Sequence, residues 1–215
     1  MFPAMKAALF FMVGALALSS VACDNNPAKG KTQAQVSEAS APAPAVANGV
    51  SYGFNQASSK VEYTGAKVTG KHDGTIGTFN GTVQLVDGDP TKSSVTVELD
   101  LRSITSDNEK LTRHLKSGDF FDVEKFPKGS FKSTAIKAGG EGNATHTVSG
   151  NLELRGVTKQ VTFPATIKVG ENVQVSAEFA INRKDFGINY AGMANDLIKD
   201  EVLIKLTLDA KKGST

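Results

Sequence analysis

The 215-residue chain has no tryptophan, a single cysteine and only three histidines, and each scarcity removes a class of explanation. Cys23 alone closes no internal disulfide, so a small scaffold stapled by disulfides is excluded. His72, His114 and His146 stand far apart without metal-ligand spacing, and neither a GxSxG elbow nor an HExxH helix occurs. The acidic residues fall mainly on the outward side of alternating segments or in turns, where a carboxylate stays solvated and untuned. An enzyme is therefore not expected, and neither is a metal. A formal net charge of +2 lacks the basic field that neutralises phosphates, so nucleic acid is not an expected partner. The one long apolar run covers about sixteen residues, from Ala7 to Ala22, short of the roughly 20 that a membrane-spanning helix needs.

What the sequence does contain begins with that run. "MFPAMK" is a short cationic start, "AALFFMVGALAL" is uncharged and apolar, and "SSVA" supplies small residues before Cys23. This order predicts a secretory signal peptide over residues 1–22. "SVAC" resembles the bacterial lipobox, with Ser20 where Leu is usual. That resemblance implies cleavage before Cys23 and lipidation of its sulfur. Two or more acyl chains, at about 0.8 kcal/mol per buried CH₂, hold a protein stably at a membrane. The expected location is the bacterial cell envelope, periplasmic and lipid-anchored, with the membrane as a partner through acylated Cys23. From Asp24 onward the chain is rich in Ala, Pro, Ser and Gln with no apolar period, so residues 23–50 are expected to be the lipidated cysteine and a disordered tether.

Residues 51–213 read as one folded domain. "SVTVELDL" puts Val95, Val97, Leu99 and Leu101 on one face and Thr96, Glu98 and Asp100 on the other, the period of a half-buried strand. The same alternation recurs in "KVEY", "FNGTVQL", "VSGNLEL", "QVTF", "VQVSAEFAI" and "VLIKLTLDA", with turns at "DGDP", "AGGEGN" and "RGVTK". About eight antiparallel strands leave two exposed edges unless the sheet closes into a barrel or folds into a sandwich. One short helix is predicted, from capping-box spacing between Ser106 and Glu109, apolar Leu111 and Leu115 on one face, and Gly118 to end it. The stretch after it, "SGDFFDVEKFPKGSF" (Ser117 to Phe131), is too irregular for a helix and carries four rings. Phe120, Phe121, Phe126 and Phe131 are expected to wall a cavity mouth where this loop turns a corner over one end of the barrel. An eight-stranded barrel either fills itself with side chains or keeps one small ligand, and inward rows of Val, Leu and Ala are compatible with a bore that has space left in it as well as with a plugged core.

These segments resemble a known group. "HLKSGDFFDVEKFPKGSFKS", "GNLELRGVTKQVTF", "INRKDFGI" and "DEVLIKLTLDA" are similar to the successive motifs of the YceI-like, lipocalin-like family of polyisoprenoid-binding proteins, over roughly Tyr52 to Ala210. Tyr52 stands where the family commonly has Trp. The resemblance implies an all-β fold: an eight-stranded antiparallel lipocalin-like barrel with one short helix and a Phe-rich loop covering one end. It implies a long-chain lipid as partner, an isoprenoid or an isoprenoid quinone, bound and sequestered or transported in the envelope. No cofactor is implied besides such a lipid, and a homodimer is an open alternative, as is a ligand-free adhesion or scaffold barrel. Phe186 joins the four rings as a candidate for ligand contact. The inward rows add Phe79, Leu85, Val97, Leu99, Leu152, Leu154, Phe163 and Phe179, and Leu115 of the helix and Ile188 of the "INRKDFGI" motif complete the set. His114 and Arg183, in "HL" and "NRKDFG", are candidates for meeting a head group or fixing the lid, since both donate hydrogen bonds; pairing of Arg183 with Asp185 or with turn backbone is the plainer expectation.

Overall fold

Alternating apolar residues and tight turns carry the chain up and down around a closed wall. The computed structural model describes residues 26–41 and 48–213. The signal peptide expected over 1–22 and the lipidation expected at Cys23 lie outside the described residues. The first strand is β1 (Gln35–Glu38). Two bent strands follow: β2 (Val50–Asn55) continues as β3 (Lys60–Lys67), and β4 (Gly70–Ile76) continues as β5 (Phe79–Val86). β6 (Asp89–Asp100) passes through a 3-10 turn at Leu101–Ser103 into the short β7 (Ile104–Ser106). After helix α1 (Glu109–Lys116) come β8 (Lys128–Ala138), β9 (His146–Leu154), β10 (Val157–Val169) and β11 (Val173–Asn182). A 3-10 turn at Arg183–Phe186 leads to a small hairpin, β12 (Gly192–Met193) and β13 (Asp196–Leu197), and then to β14 (Glu201–Lys212).

Counting each bent pair, and β6 with β7, as one strand, sequence neighbours are antiparallel sheet neighbours all the way from β2 to β14. β14 then returns to the start. Leu203–Thr207 pair with β3, and Lys211 and Lys212 with Gly53 and Tyr52 of β2. The result is an eight-stranded antiparallel barrel in up-and-down order. Closure removes the exposed edges that would otherwise recruit other chains. Where β14 changes partner the ladder is broken, and two serines take over its backbone groups: Asp209 N–H donates to Ser59 Oγ (3.0 Å) and Ser58 Oγ donates to Asp209 O (2.9 Å). Two hairpins turn on two residues each, Asp87–Gly88 and Arg155–Gly156, all with positive φ. That is the conformation whose twist matches the flanking strands.

The segment expected to be a tether departs from that expectation. β10 and β11 pair only between Thr166–Val169 and Val173–Ser176, and beyond that they splay apart. Residues 32–38 fill the seam. Ala34 N–H donates to Ala180 O (2.8 Å), Ala180 N–H donates to Thr32 O (2.9 Å), and β1 pairs with Lys159–Thr162 of β10. Ala28 and Ala180 are buried, and Ala34 and Val36 pack against the core. A stretch with small apolar residues and no period of its own becomes a strand because an open seam offers it two unpaired edges.

Two local expectations are also revised. Helix α1 is capped by Asn108, whose side chain accepts from Leu111 N–H (3.1 Å), and ends at Ser117. Ser106 instead donates its hydroxyl to the neighbouring Asp107 carboxylate and its own N–H to Thr112 Oγ1. The Phe-rich stretch is irregular only as far as Pro127, since Lys128–Phe131 already belong to β8.

Candidate functional site

The two ends of the barrel are packed differently. At the β10–β11 turn end, Phe54, Phe131 and Phe163 meet Val83, Ile136, Val148, Val173 and Leu208 around a void of only about 40 Å³. At the other end, where β3, β4, β7, α1 and residues 186–199 converge, a cavity of about 610 Å³ opens to the surface, within the range of small-molecule sites. Its walls are mostly apolar: Val61, Ile76, Ile104, Ile181, Val202 and Ile204 from strands, Leu111 and Leu115 from α1, and Phe120, Phe121, Phe186 and Ile188 from the loops.

Two glycines on the neighbouring strands β3 and β4 shape that space, Gly65 directly and Gly74 through the Tyr63 ring. A Cβ at Gly74 would lie 2.2 Å from the Tyr63 ring, so the bare backbone of β4 lets the ring lie across it while its hydroxyl donates to Thr105 O (2.8 Å). Burial, helped by the Asp107 charge, raises the Tyr63 phenol far above its ordinary range and keeps it protonated. Gly65 also lines the cavity, and a Cβ there would meet nothing within 4 Å. Its missing side chain is simply open volume.

Polar groups gather at the mouth. His72 Nδ1 and Asp107 Oδ1 are 2.8 Å apart, and His114 Nε2 and Asp119 Oδ2 also 2.8 Å. The His72 hydrogen bond, followed by that of Ser106, holds the Asp107 carboxyl below its ordinary range. The His114 imidazole stands edge-on to Phe120 and Tyr190, with centroids 4.9 and 4.8 Å away, so it links α1 to the loop after Phe186. Asn108, Lys67 and Lys110 complete a rim rich in donors.

The lid over this mouth is held by ionic and backbone ties. Asp196 in the β12–β13 hairpin accepts from Lys67 Nζ (2.5 Å), Thr69 N–H (3.1 Å) and Thr69 Oγ1, and the Lys67 contact is the main reason its carboxyl is held below the usual range. Val68 N–H donates to Leu197 O and Lys199 N–H to Ala66 O. Arg183 is buried under the lid, donating to Ile188 O (2.6 Å), Lys199 O (3.1 Å) and Asp200 Oδ1 (3.2 Å). Desolvation lowers its pKa, opposed by Asp200. Of the two partners read from the sequence, the turn backbone is realised at Ile188 O, while the ionic partner is Asp200 rather than Asp185.

The structure divides the candidate residues between the two ends. Leu115, Phe120, Phe121, Leu154, Phe186 and Ile188 line the open cavity, as do His114 and Arg183. Phe79, Leu85, Leu99, Phe163 and Phe179 lie in the main core outside its lining, with Val97, Phe131 and Leu152 packed against them. Their alternation places them inward, but at a height where the barrel is filled. Phe126 is also outside the cavity: it covers Gly156, where a Cβ would come within 2.6 Å of its ring, and carries Lys125 over its face. Sequence reasoning missed Arg155, whose Nη1 donates to Gly187 O and Nη2 to Gly118 O (2.8 Å), joining a barrel turn to both covering loops. It also missed Ile76, Ile104 and Ile198. Single isoleucines in short strands and a loop carry no period to reveal them.

Comparison with known proteins agrees with this architecture. A family model described as the YceI-like domain matches residues 52–210. A UPF0312 protein of Pseudomonas putida (strain W619) is 34% identical over 139 residues, 61% of this chain and 71% of that protein. A UPF0312 protein of Serratia proteamaculans (strain 568) is 37% identical over 123 residues, 54% and 62% of the two chains. Among solved structures, BcnA of Burkholderia cenocepacia superposes with a TM-score of 0.65 at 25% identity, covering 74% of this chain and 99% of that one. A polyisoprenoid binding domain from Saccharophagus degradans gives 0.60 at 13% identity, covering 77% and 99%, a likeness of fold. With its model matching most of the folded residues and the barrel closed as described, the chain belongs to the YceI-like family.

Proposed function

We propose that this protein binds an amphiphile with an isoprenoid-like apolar tail, tail inward and head group at the mouth, and sequesters or carries it in the bacterial cell envelope. The observation that carries this reading is the open cavity of about 610 Å³ with an apolar wall and a donor-rich rim. The solved polyisoprenoid binding domain of the same fold supports the ligand class. At about 30 Å³ per non-hydrogen atom, borrowing the share of a water in the liquid, the cavity holds roughly 20 such atoms. At about 0.3 kcal/mol per atom, usual for ligands of that size, binding amounts to about 6 kcal/mol, or a Kd on the order of tens of micromolar. An isoprenoid quinone satisfies the same site, because the Lys110 ammonium and the Asn108 amide at the rim donate to carbonyl oxygens.

Two experiments test the reading. Organic extraction of the purified full-length protein, followed by mass spectrometry, should release a lipid, and added prenols or quinones should be taken up. Gly65→Phe should fill the cavity from a position where a Cβ meets nothing within 4 Å, abolishing uptake while leaving the melting temperature unchanged or slightly raised. Equal uptake by the two proteins, or no lipid and no uptake by either, would refute cavity binding. The anchor is tested separately. Cys23→Ser should move the protein from the membrane to the soluble fraction and end incorporation of labelled fatty acid; an unchanged distribution would exclude acylation at Cys23.

A further inference from the structure

The cavity stops partway down the barrel. Ile181 and Ile204 line it, and Phe179, paired across the sheet with Ile204 and the next inward residue before Ile181, does not. The Phe179 ring stacks on Phe163 with centroids 4.1 Å apart and planes 13° from parallel, and Phe131 stands 5.9 Å from Phe163. Phe163 and Phe179 are both buried. Past them, among the described residues, lies a void of about 40 Å³, room for about one atom group. The cause lies in the wall: β10 and β11 part beyond Thr166 and Ser176, and a ring from each strand spans the inside of that splayed region.

We propose that the Phe163–Phe179 stack is a floor that sets the length of tail this protein accepts. The inference rests on the lipid-binding reading and narrows its ligand class to amphiphiles of about 20 non-hydrogen atoms, roughly three or four isoprene units in the tail including a small head group. A longer tail meets two aromatic faces in van der Waals contact and has to leave part of itself in water. Phe179 is then a specificity-determining residue. Replacing its ring joins the cavity to the space beyond.

The test is a competition series on the full-length protein with prenols of increasing length, from about two to about eight isoprene units, displacing a fluorescent fatty acid. Affinity should climb to its optimum at about four units and gain nothing from further length, because the excess tail is as hydrated in the complex as in the free prenol. Phe179→Ala should move the optimum to longer prenols, and the milder Phe163→Leu should do the same to a smaller degree. Affinity that climbs through the whole series in the native protein would overturn the floor, as would folded variants of both kinds with an unchanged profile. The native series decides by itself if a variant does not fold. Binding at no length, with a clean organic extract, has a different meaning: it removes the lipid-binding reading and the floor with it.

Discussion

At the level of single residues, the barrel wall depends on places where a side chain is missing. Gly81 and Phe54 are paired across β5 and β2, and a Cβ on Gly81 would lie 2.1 Å from the Phe54 ring. Gly150 pairs with Ser133, but a Cβ on it would likewise lie 2.3 Å from a ring of the neighbouring strand, that of Phe131. In each case a ring lies flat over bare backbone and supplies the burial that the glycine cannot. Gly81→Ala should therefore destabilise the protein by about 1–3 kcal/mol through overpacking, read as a lower urea midpoint with an unchanged slope. Phe54→Leu in the same chain should return part of the loss, since the shorter side chain need not cross the new methyl group. If Gly81→Ala unfolds like the parent protein, the ring is free to move and the pairing has no energetic weight. Gly65 has the same composition and strand setting but faces open volume. A glycine in the sequence says that a side chain is absent, and only the neighbouring strand says whether something occupies its place.

Among the elements, the lid hairpin rests on one ion pair, Lys67 with Asp196, and on backbone hydrogen bonds more than on buried apolar surface. Met193 and Leu197 are largely exposed, so little burial holds β12 and β13 in place. Asp196, with its folded pKa depressed by Lys67 and Thr69, contributes stability that is fully present above the unfolded aspartate value of about 3.9 and is lost as pH falls through its lower folded value. Acidification below about pH 4 should loosen the lid before the barrel. Hydrogen exchange at Val68, Thr69 and Lys199 should accelerate while the β8–β9 amides stay protected. Asp196→Asn should show the faster exchange at neutral pH and little further change in acid; equal acid response in both proteins would assign the effect elsewhere. This element also marks the limit of what the sequence reveals. Long alternating runs such as Val95 to Leu101 and Val173 to Ile181 disclosed their strands and inner faces, and Asp87–Gly88 and Arg155–Gly156 disclosed their turns. Alternation reports which way a side chain points but not how far along the barrel it lies. That is why Leu152 and Leu154 looked alike, although Leu154 lines the cavity and Leu152 packs against the core. β4, β12 and β13 carry too few apolar residues to show a period, and their places are set by partners distant in sequence.

For the molecule as a whole, the same splay between β10 and β11 has two consequences, one inside and one outside. Inside, the stack of Phe163 and Phe179 spans it. Outside, the chain between Thr32 and Glu38 closes it, bonding Ala180 on one side and Lys159–Thr162 on the other. The exposed ion pairs along this segment, Lys31 with Glu178 and Lys159 with Glu38, add little, because both are solvent-screened. The ladder itself matters more. Without it Ala180, now fully buried, and the backbone on both sides of the seam would face water. A chain that begins at Val50 should lose about 3 kcal/mol relative to one that begins at Asn26, from a few backbone hydrogen bonds at about 1 kcal/mol each. For a domain of this size that corresponds to a melting temperature lower by roughly 6–12 °C. A matching melting temperature for the two chains would mean that the eight strands hold the seam shut by themselves. The two chains also separate wall from floor. If the shorter chain melts earlier yet keeps the same preference for tail length, the aromatic stack is anchored by the strands that bear it; if the preference broadens as well, the N-terminal strand is what presses the two rings together.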